Sequence, residues 1–283
     1  MESDHATLTD WTGRTEEAED IVSAGAVKAL VATLSSQEIA PQSGDAAPLL
    51  SHWLHFLPSV PQSNLGADGH PARGAFLPPV TLPRRMWASS ALQFVRPLLI
   101  GSPVTRRSTI ASVTERTGRS GSLVFVEVDH VVSDAEGPVV SERQTIVYRS
   151  APTPGAPSPA PVPAPQSSQW SRRIDPDPVL LFRYSALTFN GHRIHYDQPY
   201  ATGVEGYPGL VVHGPLIATL LLHELTARHP GLSVTGYRFR AVSPLFDTAP
   251  FHICGALEAD GTARLFATNE SGALCMDAAA TFS

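Results

Sequence analysis

The sequence predicts an α+β fold built from two consecutive domains, each with a helix packed against an antiparallel sheet. A proline-rich segment divides the chain, since residues 151–165 hold seven prolines in fifteen positions. Such a composition favours extended polyproline II and excludes a helix interior or a strand ladder. We therefore expect one domain at residues 1–150, a Pro/Ala-rich linker at 151–168 and a second domain at 169–283, each domain having an ordinary size.

The first domain shows helical periodicity followed by strand-like stretches. Apolar residues recur at near-helical spacing over residues 20–34, which predicts a helix. A Gly- and Pro-rich loop at 58–85 is long for a structureless connection, and its apolar residues favour an ordered loop. Stretches rich in Val, Ile and Thr then predict four strands, at 91–99, 107–116, 121–132 and 139–148.

The second domain repeats the order of a helix followed by strands. Asp177 and Pro178 predict the start of a short helix that ends near residue 188. Gly214 as N-cap, followed by Pro215, predicts a longer and almost wholly apolar helix, which should be buried. Four strands are predicted after this helix, at 233–241, 249–257, 263–269 and 273–281.

Composition excludes several classes of protein. The 283 residues are 42% hydrophobic, too many for a disordered chain, and no apolar run is long enough to predict a membrane span. A net charge of −6 argues against broad binding of nucleic acid through its phosphates. Two cysteines without metal-ligand spacing, and a polar, acidic start unlike a secretory signal, lead us to expect a cytoplasmic protein.

Polar groups with complementary chemistry lie between the two helices of the second domain. His195 carries a side chain that exchanges protons near neutral pH, whereas the Asn190 amide can orient a water molecule but cannot exchange a proton. The helix that begins at Gly214 has unpaired N–H groups at its start, which can stabilise an enolate oxygen. A base, a water-orienting amide and an oxyanion donor are the groups that hydration of an enoyl thioester requires.

Residues 190–195, Asn-Gly-His-Arg-Ile-His, resemble the D-x-N-P-x-H motif of MaoC-like enoyl-CoA hydratases. The resemblance implies a hot-dog fold, in which a sheet wraps around a central helix, with His195 as the catalytic histidine. The catalytic Asp of that family falls on Asn190, so the second proton-transfer group of the motif is lost at this position. Residues 212–214, Val-His-Gly, match the segment in which the family places its oxyanion donor, here Gly214.

A narrower resemblance covers almost the whole chain. It is to the double hot-dog mesaconyl-C4-CoA (itaconyl-CoA) hydratase group, and also to hydroxyacyl-thioester dehydratase type 2. The matching segments are DWTGRTEE at 10–17, LGADGHP at 65–71, FLPP at 76–79, PRRMWA at 83–88 and FRYSALTFNGHRIHYD at 182–197. The resemblance implies two hot-dog domains, the first without the catalytic motif, with the active site at the seam between them. It implies reversible hydration of an acyl-CoA substrate to citramalyl-CoA, with no cofactor.

The free carboxylate of a dicarboxylyl substrate requires a cation. Arg84 and Arg85 end the long loop, which could reach across to the second domain, and they are our candidates, with Arg193 as competitor. The histidines at 192, 195 and 213 could in principle bind zinc, but no carboxylate-rich surroundings are evident and we expect no metal. The Asp-Gly-His-Pro segment at 68–71 predicts only a turn.

Other functions stay open at this point. A (3R)-hydroxyacyl thioester dehydratase for straight fatty chains would need an open apolar tunnel instead of a closed pocket with an arginine. Hot-dog folds also host thioesterases, and a non-catalytic acyl-thioester-binding protein is compatible with Asn190 in place of Asp. The sequence leaves a homodimer open and predicts neither a nucleic-acid nor a membrane partner.

Overall fold

A ten-stranded antiparallel sheet organises the molecule. The computed structural model describes residues 7–34, 39–118, 121–151 and 160–283. The helices are α1 (Ala24–Leu34), α2 (Pro178–Leu187), α3 (Gln198–Gly203) and α4 (Gly214–Arg228). The strands are β1 (Thr15–Ile21), β2 (Arg84–Phe94), β3 (Pro103–Gly118), β4 (Gly121–Asp134), β5 (Gly137–Arg149), β6 (Trp170–Ile174), β7 (Val234–Ala241), β8 (Phe251–Leu257), β9 (Thr262–Asn269) and β10 (Leu274–Phe282).

The two parts of the chain occupy separate halves of this sheet. The strand order is β1-β3-β4-β5-β2-β7-β10-β9-β8-β6, so the N-terminal strands lie on one side and the C-terminal strands on the other. Antiparallel pairing of β2 with β7, from Ser89↔Arg240 to Gln93↔Gly236, joins the halves at the centre. The seam is therefore a continuous ladder, and loops from both halves can meet there.

Helix α4 fills the core of the C-terminal half. Nine of its fifteen residues are buried, and it contacts β8, β9 and β10. The predicted helix is present but begins one residue earlier than expected, at Gly214, because its N-cap is His213 and not Gly214. Helix α2 begins as its sequence indicates, since the Asp177 side chain accepts a hydrogen bond of 2.7 Å from the Leu180 N–H.

The helix predicted for residues 20–34 is wrong in its first part. Residues 15–21 form β1, whose side chains alternate between half-buried and exposed and whose backbone pairs with β3. Pairing with a long neighbouring strand outweighs the helical spacing of a few apolar residues. Helix α1 starts only at Ala24, and its buried face comprises Val27, Leu30, Val31 and Leu34.

Three further elements differ from the sequence predictions. Strand β2 covers residues 84–94 and not the predicted 91–99, because β5 pairs with it from Arg84 to Phe94, while β7 pairs only with residues 89–93. Strand β6 and helix α3 are not predicted by the sequence. Both are short, with five and six residues, and carry little periodicity.

Part of the predicted linker contacts the sheet. Residues 152–159 lie outside the described residues, but Val162 accepts a hydrogen bond of 2.8 Å from the Leu274 N–H, and Pro163 forms a bridge with Ala273. The domain boundary itself stays a prediction. None of the helices within the described ranges is long and apolar enough to cross a membrane.

Candidate active site

The structure brings His195 next to the start of α4. His195 ends a short 3-10 turn that follows α2, and its Nδ1 atom lies 2.7 Å from the carbonyl oxygen of Val211. Its ring stacks on that of His213, with centroids 3.7 Å apart and an angle of 17° between the planes. Because His213 directly precedes Gly214, the His195 ring stacks on the residue that caps the start of α4.

The environment of His195 makes it a neutral base. Burial lowers the pKa of His195 to about 4, against the opposing effect of the bond to Val211. A carbonyl oxygen only accepts, so Nδ1 carries the proton and Nε2 presents its lone pair. Nε2 makes no hydrogen bond within the described part of the chain. The residue keeps 8% of its surface exposed, so its ring is not completely sealed.

His213 supports the His195 ring and is itself held by two residues of α2. Its Nε2 lies 2.8 Å from the Ser185 hydroxyl, and the edge of Tyr184 lies against its ring, with centroids 5.2 Å apart. Burial and the neighbouring imidazoles hold the pKa of His213 well below its usual range, so it is neutral. The sequence carries no signal for this support, because Ser185 and Tyr184 lie on α2 in positions typical of packing residues.

Asn190 is partly engaged in the local backbone. Its Oδ1 atom accepts a hydrogen bond of 3.0 Å from the His192 N–H, which shapes the turn after α2. Its side-chain NH2 makes no hydrogen bond to any residue that the structure describes. The NH2 group can therefore donate a hydrogen bond to a water molecule, and Oδ1 keeps one further lone pair.

Gly214 lies at the seam between the halves. A Cβ atom placed there would lie 3.9 Å from the Trp87 carbonyl oxygen of β2 and 4.0 Å from Met276 Cε of β10. As the first residue of α4 it contributes one of the N–H groups that have no partner within the helix. These N–H groups carry the positive end of the helix dipole, which suits a developing oxyanion.

The three candidate arginines have different surroundings. Arg84 forms a 3.0 Å ion pair with Glu205 and lies over the Tyr207 ring. Arg193 forms a 2.7 Å ion pair with Asp197 and donates to the Ala67 carbonyl oxygen at 3.1 Å. Arg85 is half-buried and makes no ion pair with a described residue. Its guanidinium is therefore the one of the three that is available to an anion.

A cavity of about 610 Å³ opens beside these residues. It lies between the loop at 66–73, the start of β2 and α3, and its lining includes Asp68, His70, Arg84, Arg85, Tyr200 and Glu205. His195 and Gly214 are not part of this lining. His192 connects the two places, since its ring centroid lies 5.4 Å from that of His195 and 4.1 Å from that of His70.

The loop at 66–71 is docked tightly against the turn at 190–193. The Arg193 N–H donates to the Asp68 carbonyl oxygen at 2.9 Å. Gly69 has a φ of +86°, and a Cβ atom there would lie only 1.9 Å from the Gly191 carbonyl oxygen. A side chain at position 69 is therefore excluded both by the backbone conformation and by the close approach. The sequence predicts the turn but not its contact with the segment at 190–195.

This docking brings Asp68 and His70 to the site. The His70 Nδ1 atom lies 3.2 Å from the Asp68 carboxylate. Burial acts to raise the pKa of Asp68, but hydrogen bonds from His70 outweigh it, and the net pKa is well below the usual range. Burial lowers the pKa of His70, and the positive charge of Arg85 adds to the effect, while Asp68 opposes it.

The same cluster has the spacing of a metal site but not its electrostatics. Donor atoms of Asp68, His70 and His192 all lie within 4.8 Å of one another. However, the Asp68 carboxylate already accepts hydrogen bonds from the His70 ring and N–H. Arg85 is close enough that its positive charge lowers the pKa of both His70 and His192. A cation would meet the same repulsion, so the cluster fits a metal ion poorly.

Comparison with known proteins places the chain in a family. The hydroxyacyl-thioester dehydratase type 2 family matches residues 50–247. Mesaconyl-C(4)-CoA hydratase of Chloroflexus aurantiacus is 48% identical over 275 residues, 93% of this chain and 97% of that protein. A MaoC-like dehydratase of Phytophthora capsici has a TM-score of 0.69 at 17% identity, covering 98% and 97% of the chains. A Mycobacterium tuberculosis protein with a double hot-dog fold has a TM-score of 0.57 at 15% identity, covering 96% of each chain.

The fold is therefore a double hot-dog, as the sequence resemblance implied. Two of its four helices, α1 and α4, share a hydrophobic core with residues of the one continuous sheet. The chain belongs to the hydroxyacyl-thioester dehydratase type 2 family. It is accordingly an enzyme of the hydratase and dehydratase type, a hydro-lyase.

Proposed function

We propose that this enzyme reversibly hydrates a branched C4 or C5 dicarboxylyl-CoA, mesaconyl-C4-CoA or itaconyl-CoA, to citramalyl-CoA. One observation carries the reaction type: His195 has its Nδ1 proton fixed by Val211 and its ring beside the helix start at Gly214. The extensive identity with mesaconyl-C(4)-CoA hydratase supports this substrate class.

In this mechanism the Gly214 N–H polarises the thioester carbonyl. His195 Nε2 takes a proton from a water molecule, and the water oxygen bonds to the β-carbon of the substrate. The negative charge that moves to the thioester oxygen is stabilised by the helix start. The side-chain NH2 of Asn190 holds the water. The α-carbon then receives one proton from a protonated group, and the proton held by His195 restores that group, so that one water molecule in total is added.

Arg85 binds the free carboxylate of the substrate. It lines the cavity next to the imidazoles and has no ion-pair partner among the described residues. A guanidinium offers a carboxylate two parallel hydrogen bonds, which fixes the orientation of the acyl chain. Arg84, the other predicted candidate, holds the halves together through Glu205 instead.

The main alternative is a dehydratase for straight-chain (3R)-hydroxyacyl thioesters, and membership of the hydroxyacyl-thioester dehydratase type 2 family supports dehydration of a hydroxyacyl thioester in general. To separate these functions, mesaconyl-C4-CoA, itaconyl-CoA and crotonyl-CoA are offered to the enzyme, and loss of enoyl absorbance is followed. We expect turnover of at least one dicarboxylyl-CoA. Activity with crotonyl-CoA alone would reject the dicarboxylyl substrate. Release of free thiol would indicate a thioesterase, and binding without turnover a non-catalytic protein.

Arg85→Gln tests the proposed carboxylate contact. We expect kcat/KM for the dicarboxylyl-CoA to fall about 10- to 100-fold, because a charged hydrogen bond contributes about 1.5–3 kcal/mol. Activity with crotonyl-CoA, which has no free carboxylate, should change much less. Arg149→Gln removes an equal charge from an exposed position on β5 and serves as the matched control. Equal losses with both substrates would contradict the role of Arg85.

A further inference from the structure

The hydration just proposed needs two proton transfers, and the motif around His195 supplies one group for them. Water gives up a proton as its oxygen bonds to the β-carbon, and the α-carbon must receive one. Asn190 cannot exchange protons. The sequence thus leaves a second proton-transfer group unassigned, and it gives the 68–71 turn no chemical role.

We infer that His70, held by Asp68, is the second proton-transfer group and delivers the proton to the α-carbon of the substrate. In the dehydration direction His70 removes that α-proton. This inference rests on the proposed function, because it concerns the same reaction.

These two histidines account for both proton transfers of the hydration. His195 Nε2 takes the proton of the attacking water while the carbon–oxygen bond forms at the β-carbon. The electrons of the double bond move towards the thioester and then form the carbon–hydrogen bond at the α-carbon with the proton from His70. After one turnover His195 has gained a proton and His70 has lost one. Return of that proton through His192 or water resets the site.

The geometry supports both the delivery and the return. His70 lines the cavity that also contains Arg85, so it faces the space proposed for the acyl chain. The His192 ring lies between His70 and His195, with centroid distances of 4.1 and 5.4 Å. The series of imidazoles is therefore continuous from the cavity to the start of α4.

Asp68 opposes the burial that lowers the pKa of His70, and so favours the protonated form that this role needs. Its carboxylate lies 3.2 Å from His70 Nδ1, and a carboxylate in this position orients an imidazole and stabilises its protonated form. Arg85, Arg73 and His192 face His70 from the other elements, and the two arginines oppose its protonation. Removal of Asp68 should therefore make His70 harder to protonate.

His70→Gln tests the inference in the full-length enzyme with mesaconyl-C4-CoA. We expect kcat to fall about 100- to 1,000-fold, as for loss of a general acid or base, with KM changed less than about threefold. His229→Gln, at the opposite end of α4 from Gly214, is the matched control and should retain activity. Unchanged kcat in a folded His70→Gln variant would overturn the inference while leaving the proposed function in place.

Asp68→Asn provides an independent readout. If His70 acts in its protonated form, kcat falls as the pH rises through its pKa. In Asp68→Asn, which lacks the carboxylate, this fall in kcat should occur at lower pH than in the wild type. If Asp68 only stabilised the loop, its replacement would reduce kcat equally at every pH. An unshifted fall contradicts the inference, and this variant also decides the matter if His70→Gln does not fold.

Two controls separate the remaining explanations. Treatment with EDTA should leave activity unchanged, and loss of activity that is restored by Zn²⁺ would replace the inference with a metal site at Asp68, His70 and His192. A wild-type enzyme that turns over no enoyl-CoA would overturn the proposed function and the inference together.

Discussion

The two halves of the sheet each hold a helix, but the starts of these helices differ in chemistry. Helix α4 begins next to His213 and His195, whose rings stack. Helix α1 begins after Val22 and Ser23, and within the described ranges no imidazole stacks there. The C-terminal half thus carries the stacked histidines at the start of α4, while the N-terminal half contributes the loop at 66–71.

The N-terminal half has a buried polar cluster of its own, and its contacts indicate a structural role. The Glu142 carboxylate accepts hydrogen bonds from Trp53 Nε1 at 2.9 Å and from the Ser90 hydroxyl. His52 Nε2 lies 3.2 Å from the same carboxylate. These partners satisfy the carboxylate within the core, and none of them lines the cavity. Buried titratable groups thus have different surroundings in the two halves: those around Glu142 bond to one another, whereas His70 and His192 lie beside the cavity.

Replacement of His195 should have the largest effect. For His195→Gln we expect kcat to fall about 1,000-fold, because glutamine cannot exchange a proton. In the wild type, kcat/KM should fall as the pH drops towards 4, because protonation of His195 removes the base. Stopped assays of enoyl absorbance across pH check both points. If the variant keeps more than about a tenth of the wild-type activity, another residue must act as the base.

Replacement of Gly69 should have the next largest effect, because a side chain there would push the loop at 66–71 away from the turn at 190–193. For Gly69→Ala we expect kcat/KM to fall about 100-fold, since a displacement of about 1 Å can have this effect. Gly13→Ala is the matched control, with a φ of +84° but nothing within 4 Å of an added Cβ. It should lose only about 1–2 kcal/mol of unfolding free energy. Equal behaviour of the two variants would show that docking at Gly191 is unimportant.

Replacement of Glu142 should affect stability and leave catalysis nearly unchanged. For Glu142→Gln we expect the free energy of unfolding at pH 7 to fall by about 2 kcal/mol, the value of a charged hydrogen bond. Burial acts to raise the pKa of Glu142, but the bond from His52 and the neighbouring polar groups lower it overall.

The acid dependence of stability follows from that direction. A lowered pKa in the folded state stabilises the protein above the unfolded pKa, and this contribution is lost as the pH falls through the folded pKa. The difference between wild type and Glu142→Gln should therefore shrink in acid, as measured by urea unfolding. A large loss of kcat in this variant would instead give the N-terminal cluster a catalytic role.

Local patterns predicted much of this molecule, but contacts between distant segments could not be predicted from them. The apolar run after Gly214 predicted α4, and the Asp177-Pro178 pair predicted α2, because helix starts are determined by neighbouring residues. The pairing that makes residues 15–21 a strand involves β3, which is far away along the chain. Such pairing overrides a local helical pattern.

The same limit applies to the candidate site. The family motif indicated His195, Asn190 and Gly214 as site residues, and their roles stay predictions. The ion pair that occupies Arg84 comes from Glu205, 121 positions along the chain. The contact of Gly69 with Gly191 likewise joins segments far apart in sequence. Without the fold, nothing distinguished Arg84 from Arg85, or gave Asp68 and His70 a place at the site.

The most direct test is a crystal structure of the His195→Gln variant with mesaconyl-C4-CoA bound. We expect the thioester oxygen within hydrogen-bond distance of the Gly214 N–H, the α-carbon facing His70 and the free carboxylate on Arg85. An acyl chain that lies away from the start of α4, with the side chain at position 195 sealed from it by packing, would contradict the account.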